Sequence, residues 1–249
     1  MYPLGLSCCL LLALPLVAAE PLLKIPPARA TVEIDHQAVV LTASGTVSKA
    51  AQPDSYALSL AVDLADLQAH ARQMLAAQLD RSQPCGERLT ILDAGLQPTQ
   101  PTAVLTAKMH FERWTCAKLM GRTINKRLVG GDGNVRVELI PALETPTRVR
   151  LQAEVRDIQA DGSLGQLLRS GSLGAELKEK IRSSVQSALD KATDFRATLP
   201  TVLQDLVRLR SVSFRGAGEG RLELMIDAEA SISPGQLEKL RAEVPLRHL

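Results

Sequence analysis

Residues 85–116 read CGERLTILDAGLQPTQPTAVLTAKMHFERWTC, and their pattern decides more about the fold than any other stretch. Leu105, Ala107, Met109 and Phe111 fall on every second position, which places them on one face of a β-strand. GERLTILDAGL precedes them, and the intervening QPTQP is rich in turn residues. The segment therefore predicts a β-hairpin that turns near Thr99 and Gln100. Residues facing each other across such a hairpin have numbers that sum to about 200, and Cys85 and Cys116 meet that condition at its open end. A bridge with a Cα separation of about 5.5 Å is feasible there. In the chain-entropy model, closing a loop of about 30 residues contributes roughly 3–4 kcal/mol. The rival reading, two thiols for redox or metal work, lacks C-x-x-C spacing and a third Cys.

Outward from the hairpin, Tyr56, Leu58, Leu60 and Val62 alternate as a strand. Asp63 then caps an expected amphipathic helix over 64–81, with a stripe of Leu64, Leu67, Ala71, Met74 and Gln78. Residues 117–128 are ambiguous, with one or two helical turns allowed, and Gly130 to Asn134 reads as a turn. Strands follow at 135–139 and 149–155, and a short helix at 164–169. The longest helix is expected from Ser172 to about Thr193, striped by Leu173, Leu177, Ile181, Val185, Ala188 and Ala192. A second hairpin spans Leu209 to Ile232, and a short helix starts after Ser233.

These elements give an expected α+β fold of antiparallel curved sheets packed on long amphipathic helices. A strand, helix and hairpin recur in each half, which predicts a duplicated unit with pseudo-repeats at 31–130 and 131–249 inside a single domain, 31–249. Residues 20–30, with Pro26-Pro27, read as a flexible lead-in.

The start of the chain, MYPLGLSCCLLLALPLVAAE, holds an apolar run from Leu4 to Leu16, no charged side chain before Glu20, and small residues to Ala19. It reads as a secretory signal at 1–19, cut after Ala19. An uncleaved anchor is disfavoured, because a span needs about 20 apolar residues. The expectation is a periplasmic or secreted protein. Removal of Cys8 and Cys9 leaves the pair already placed across the hairpin, in a compartment where disulfides persist.

Composition excludes several functions. A formal charge of +2 implies no general attraction to nucleic acid, and 2% aromatic residues leave little on which to stack bases. His36, His70, His110 and His248 lack zinc-binding spacing, and Gly171-Ser172-Leu173-Gly174 is not a nucleophile elbow. Gly130-Gly131-Asp132-Gly133 lacks phosphate-loop spacing. No cofactor, metal or enzymatic activity is expected.

The helix, Pro break and hairpin from Leu177 to Ile232, with one-face-apolar strands and an aliphatic interior, resemble the tubular lipid-binding (TULIP-like) proteins, a group with exported bacterial members. The segment DIQADGSLGQLLRSGSLG at 157–174 is also similar to exported bacterial proteins. The TULIP-like resemblance implies a lipid or other apolar ligand held between helix and sheet, lined by Leu177, Ile181, Val185, Leu222, Leu224 and Ile226. The alternative is a solid core in a structural or interaction accessory of envelope assembly. Separately, Lys108, Arg113, Lys118, Arg122, Lys126 and Arg127 crowd around the lone Trp114 with only Glu112 among them. Such a patch suits an anionic membrane surface or an acidic partner.

Overall fold

The computed structural model describes residues 21–34, 37–52, 54–119, 122–170, 172–191 and 207–231, together with 233 and 235. The signal reading at 1–19, Ala192 at the end of the long-helix stripe and the expected helix after Ser233 lie outside these residues. The strands are β1 (Leu23–Ile34), β2 (Gln37–Lys49), β3 (Ser55–Asp63), β4 (Arg81–Ser82), β5 (Glu87–Thr99), β6 (Thr102–Leu119), β7 (Arg122–Thr145), β8 (Arg148–Ala160), β9 (Val207–Gly216) and β10 (Leu222–Ser231). The helices are α1 (Ala65–Leu79), α2 (Gly162–Ser170) and α3 (Ser172–Lys191). Two five-stranded sheets form, β1-β2-β3-β10-β9 and β4-β5-β6-β7-β8, and every pairing is antiparallel.

The expected α+β class is therefore corrected. The fold is predominantly β, with ten strands in two antiparallel sheets and three helices among the described residues. Two misread segments account for much of the difference. Residues 117–119 complete β6 and 122–128 open β7, and the glycine run 130–134 lies inside β7. Gly133 sits there against a neighbouring strand, since a Cβ would come 3.0 Å from the Gln159 carbonyl. Gly131 lies beneath Leu164 of α2. The helices do not match the strands in length: α3 has 20 residues and spans about 30 Å. The 24 residues of β7 reach about 80 Å if extended. The segment read as a lead-in pairs with β2 as an edge strand, its register shifting between Ile25 and Ala28 around the two prolines.

The order strand, helix, hairpin does recur, but β3 lies in one sheet and its hairpin β5–β6 in the other. The later unit crosses back, from β8 to β9–β10. Neither unit holds a strand and a hairpin that close on each other, so neither is a sheet-plus-helix module.

The hairpin itself follows the expected register. Thr99 faces Thr102, Ala94 faces Ala107, and one bulge between Ile91 and Asp93 intervenes before Glu87 meets Arg113. The Ile91 N–H at that bulge donates to Asp80 Oδ1 at 2.7 Å, at the C-terminus of α1. Asp63 Oδ1 accepts from the Ala65 N–H at 2.8 Å, at the start of α1.

The main core lies between the second sheet and the helices. Leu89, Ile91, Leu105, Met109, Phe111, Val137 and Val155 point inward to meet Leu75 and Leu79 of α1, Leu164 of α2, and Leu177, Ile181 and Val185 of α3. The buried stripe of α1 runs through Leu64, Ala71, Leu75 and Leu79, so Met74 and Gln78 of the expected stripe are only half-buried. A smaller cluster joins Tyr56, Leu58, Val207, Leu209, Ile226 and Ala228 of the first sheet to Val149 of the second.

Polar side chains close the seams between these layers. Gln68 of α1 donates to the carbonyls of Leu96 (2.8 Å) and Gly220 (2.9 Å) and accepts from the Leu222 N–H (2.8 Å), tying both sheets to one helix. On β8, an edge strand, Gln186 of α3 accepts from the Ala153 N–H at 3.0 Å and donates to the Leu151 carbonyl at 2.8 Å. One amide thus supplies what a further strand would. Strand β9 donates to the turns of the opposite sheet, from Leu209 N–H to Pro146 (2.6 Å) and from Phe214 N–H to Pro101 (2.8 Å).

Candidate functional site

Strands β6 and β7 outrun their neighbours. Glu87 of β5 pairs no further than Arg113, and Ala160 of β8 no further than Gly133. Beyond those limits, residues 114–119 and 122–127 pair only with each other, from Trp114 opposite Arg127 to Leu119 opposite Arg122. A two-stranded ribbon has little stability alone. Its root is fastened by the disulfide Cys85–Cys116, with Cα atoms 5.5 Å apart, and by the Trp114 N–H donating to the Gly86 carbonyl at 2.7 Å. The disulfide is the one expected from the hairpin register.

Opposed residues of an antiparallel pair share a face. One face of the ribbon therefore carries Thr115, Ala117, Ile124, Arg122 and Lys126, in line with Arg113. The other carries Trp114, Cys116, Lys118, Thr123, Asn125 and Arg127. A register shift between Arg113 and Trp114 leaves Leu128 bulged out between them. Ile124 is 52% and Leu128 59% exposed. Neither was singled out in the sequence.

The root holds a charged cluster. Glu112 accepts from the Trp114 indole N–H at 2.8 Å and pairs with Arg127 at 3.1 Å. Arg88 lies 4.0 Å from its carboxylate and 4.6 Å above the Trp114 ring centre. The indole hydrogen bond first, and Arg127 second, hold the Glu112 carboxyl below its ordinary pKa. His110 lies 3.6 Å from Glu112 and bonds Asp132 at 2.6 Å, and that bond to Asp132 raises its pKa above the ordinary value. Arg127 is thus neutralised locally. Among the described residues no acidic side chain pairs with Arg113, Lys118, Arg122 or Lys126. Lys108 lies apart from this end, on the outer face of the sheet opposite Asp93 and Asn134.

The residues expected to line an apolar ligand do not share one space. Leu177, Ile181, Val185 and Leu222 belong to the main core, Ile226 belongs to the smaller cluster, and half-buried Leu224 touches both. Two open depressions, of about 450 and 440 Å³, lie on polar sheet faces, beside Ser59 and Asp227 and beside Lys108 and Asn134. Neither lies between α3 and its sheet. Among the described residues no cluster of three or more His, Cys, Asp or Glu side chains could hold a metal ion, and no helix is long and apolar enough to cross a membrane. His70 is engaged with the Asp66 carbonyl at 2.8 Å, and His36 and His248 lie outside the described residues.

No family model matches the chain, and no curated protein matches it in sequence. Among solved structures, a crystal structure of lipopolysaccharide binding protein is similar with a TM-score of 0.40 and 13% identity, over 57% of this chain and 31% of that one.

Proposed function

We propose that this is an exported, non-enzymatic protein that binds lipid, and that the β6–β7 ribbon is its contact with an anionic membrane surface. The observation that carries this reading is the ribbon itself: Ile124 and Leu128 stand exposed among four cations that no carboxylate neutralises. Near a bilayer carrying anionic lipid, each Lys or Arg contributes about 1 kcal/mol. Burying an exposed Ile or Leu side chain adds roughly 1.5–3 kcal/mol. Together these support reversible attachment. The signal reading at 1–19 and a disulfide suited to an oxidising compartment support export.

Sedimentation with vesicles tests the reading. Protein should pellet with phosphatidylglycerol-containing vesicles, be released by salt, and bind pure phosphatidylcholine far less. The double variant Arg122→Gln, Lys126→Gln should lose about 30-fold in affinity. Equal binding to both vesicle types would overturn the reading.

A second reading, carriage of an apolar chain within the fold, is favoured by one feature. On the first sheet's apolar face, Val47, Leu60, Val62, Val212 and Leu224 are only half-buried around the buried Ile226. Native mass spectrometry of protein purified from its own source should then show a bound lipid, and a lipid-free mass would count against it.

A further inference from the structure

We infer that a single face of the ribbon enters the lipid, the one bearing Ile124 between Arg122 and Lys126, and that Trp114 on the opposite face braces the ribbon from outside the bilayer. This rests on the membrane-surface reading above and names the part of that site which does the work.

The two faces differ in charge and in commitment. Successive same-face residues on a strand lie about 6.6 Å apart. Arg122 and Lys126 therefore flank Ile124 at a spacing that lets both cations reach phosphate groups while the isoleucine enters between them. Arg113 continues the same line toward the sheet, and Ala117 opposite Ile124 keeps the centre of the face apolar. No acidic residue stands on this face of the ribbon.

On the other face, the indole N–H of Trp114 is bound to Glu112 and its ring is covered by Arg88. Inserting this tryptophan would strip off Arg88 and draw the Glu112 carboxylate toward an anionic surface. Arg127, the cation beside it, is already paired with Glu112. The disulfide to Cys85 occupies the next position on this face. The occupant that fits the free face is an anionic bilayer, because only a surface with apolar depth satisfies Ile124 together with Arg122 and Lys126.

Trp114 is the lone tryptophan, so the unmodified protein reports on its own face. Bound to phosphatidylglycerol vesicles with brominated acyl chains, the wild type should keep its Trp114 fluorescence. Ile124→Trp, with Trp114 retained, should gain a component that the bromines quench. Thr123→Trp, one residue away but on the opposite face, should gain none. Lys126→Gln should weaken binding about fivefold. Lys118→Gln should weaken it less than twofold, because the ribbon's thickness exceeds the screening length of about 8 Å. Binding in which Trp114 and Thr123→Trp are quenched as strongly as Ile124→Trp overturns the face assignment and leaves the membrane reading standing. Failure of every form to bind anionic vesicles, or capture by single-stranded DNA in their place, overturns both.

Discussion

The same two strands, β6 and β7, pass through two different environments. Between Leu105 and Phe111 they alternate, with apolar side chains under α1, α2 and α3 and polar ones on the outer face. Past the bulge at Leu128, residues 114–119 and 122–127 of the same pair continue antiparallel with almost nothing buried. The comparison separates what makes a strand from what stabilises one. Cross-strand hydrogen bonds extend as far as both chains stay in register, whereas burial ends where the helices end. The largest expected contrast follows from this. Phe111→Ala, at a site 2% exposed, should cost about 3–5 kcal/mol in urea unfolding. Ile124→Ala, only a few residue pairs further out, should stay within about 0.5 kcal/mol. Equal losses would mean that the ribbon is covered in solution.

The ribbon is held by its root, and removing the staple should sharpen the comparison. The double variant Cys85→Ser, Cys116→Ser should lose about 3 kcal/mol, as expected for a bridge across a sequence separation of 31. Amide exchange should rise far more at 114–127 than at 103–111. Uniform acceleration along both strands would show that the disulfide stabilises the sheet as a whole and that the ribbon has no independent opening.

These two regions also explain what could be read from the residues alone. The β5–β6 hairpin was legible to within a single bulge, because alternation from Leu105 to Phe111 and a Pro-bounded turn fix the register, and the register places Cys85 beside Cys116. The buried positions Leu177, Ile181 and Val185 were legible from helical spacing. The strand ends at 117–119 and 122–128 were not, because strands exposed on both faces carry no alternation to detect. Gly130 to Asn134 looked like a turn because composition cannot reveal that α2 and β8 press on those glycines. The crossing between sheets left no local trace, since β3 pairs with β10 across most of the chain. At the site, the cluster of bases was visible, but its division into two faces was not. That division depends on the bulge at Leu128 and on which cations Glu112 neutralises.

A smaller effect tests whether the root cluster braces the ribbon. Trp114→Ala removes the donor to Glu112 and the surface under Arg88, and should cost about 1–2 kcal/mol. Exchange at 114–127 should rise while the body of the sheet stays protected. Trp114→Phe, which keeps a ring beneath Arg88 but no N–H, should recover part of the loss. If Trp114→Phe behaves like Trp114→Ala, the ring beneath Arg88 contributes nothing, and if it behaves like the wild type, the indole hydrogen bond contributes nothing.

The smallest effect is a dependence on pH at the junction of body and ribbon. The Asp132 carboxylate binds His110 from β7, and Glu112 approaches it from its own strand. Both favour the imidazolium, so the folded pKa lies above the ordinary value of 6.5. A raised pKa means that the folded state binds the proton more tightly than the unfolded chain. The stabilisation is therefore complete below about pH 6.5 and is lost as pH rises through the folded value. With the side chain 40% exposed, solvent screening keeps the effect small. The NMR titration of His110 should give a pKa above the reference, and Asp132→Asn should return it toward 6.5. The gap in urea midpoint between wild type and Asp132→Asn should be widest in mild acid and should narrow on the alkaline side of neutrality. A gap independent of pH would show that Asp132 acts at this junction only as a neutral hydrogen-bond acceptor, and that the ribbon's root holds equally well whatever the charge on His110.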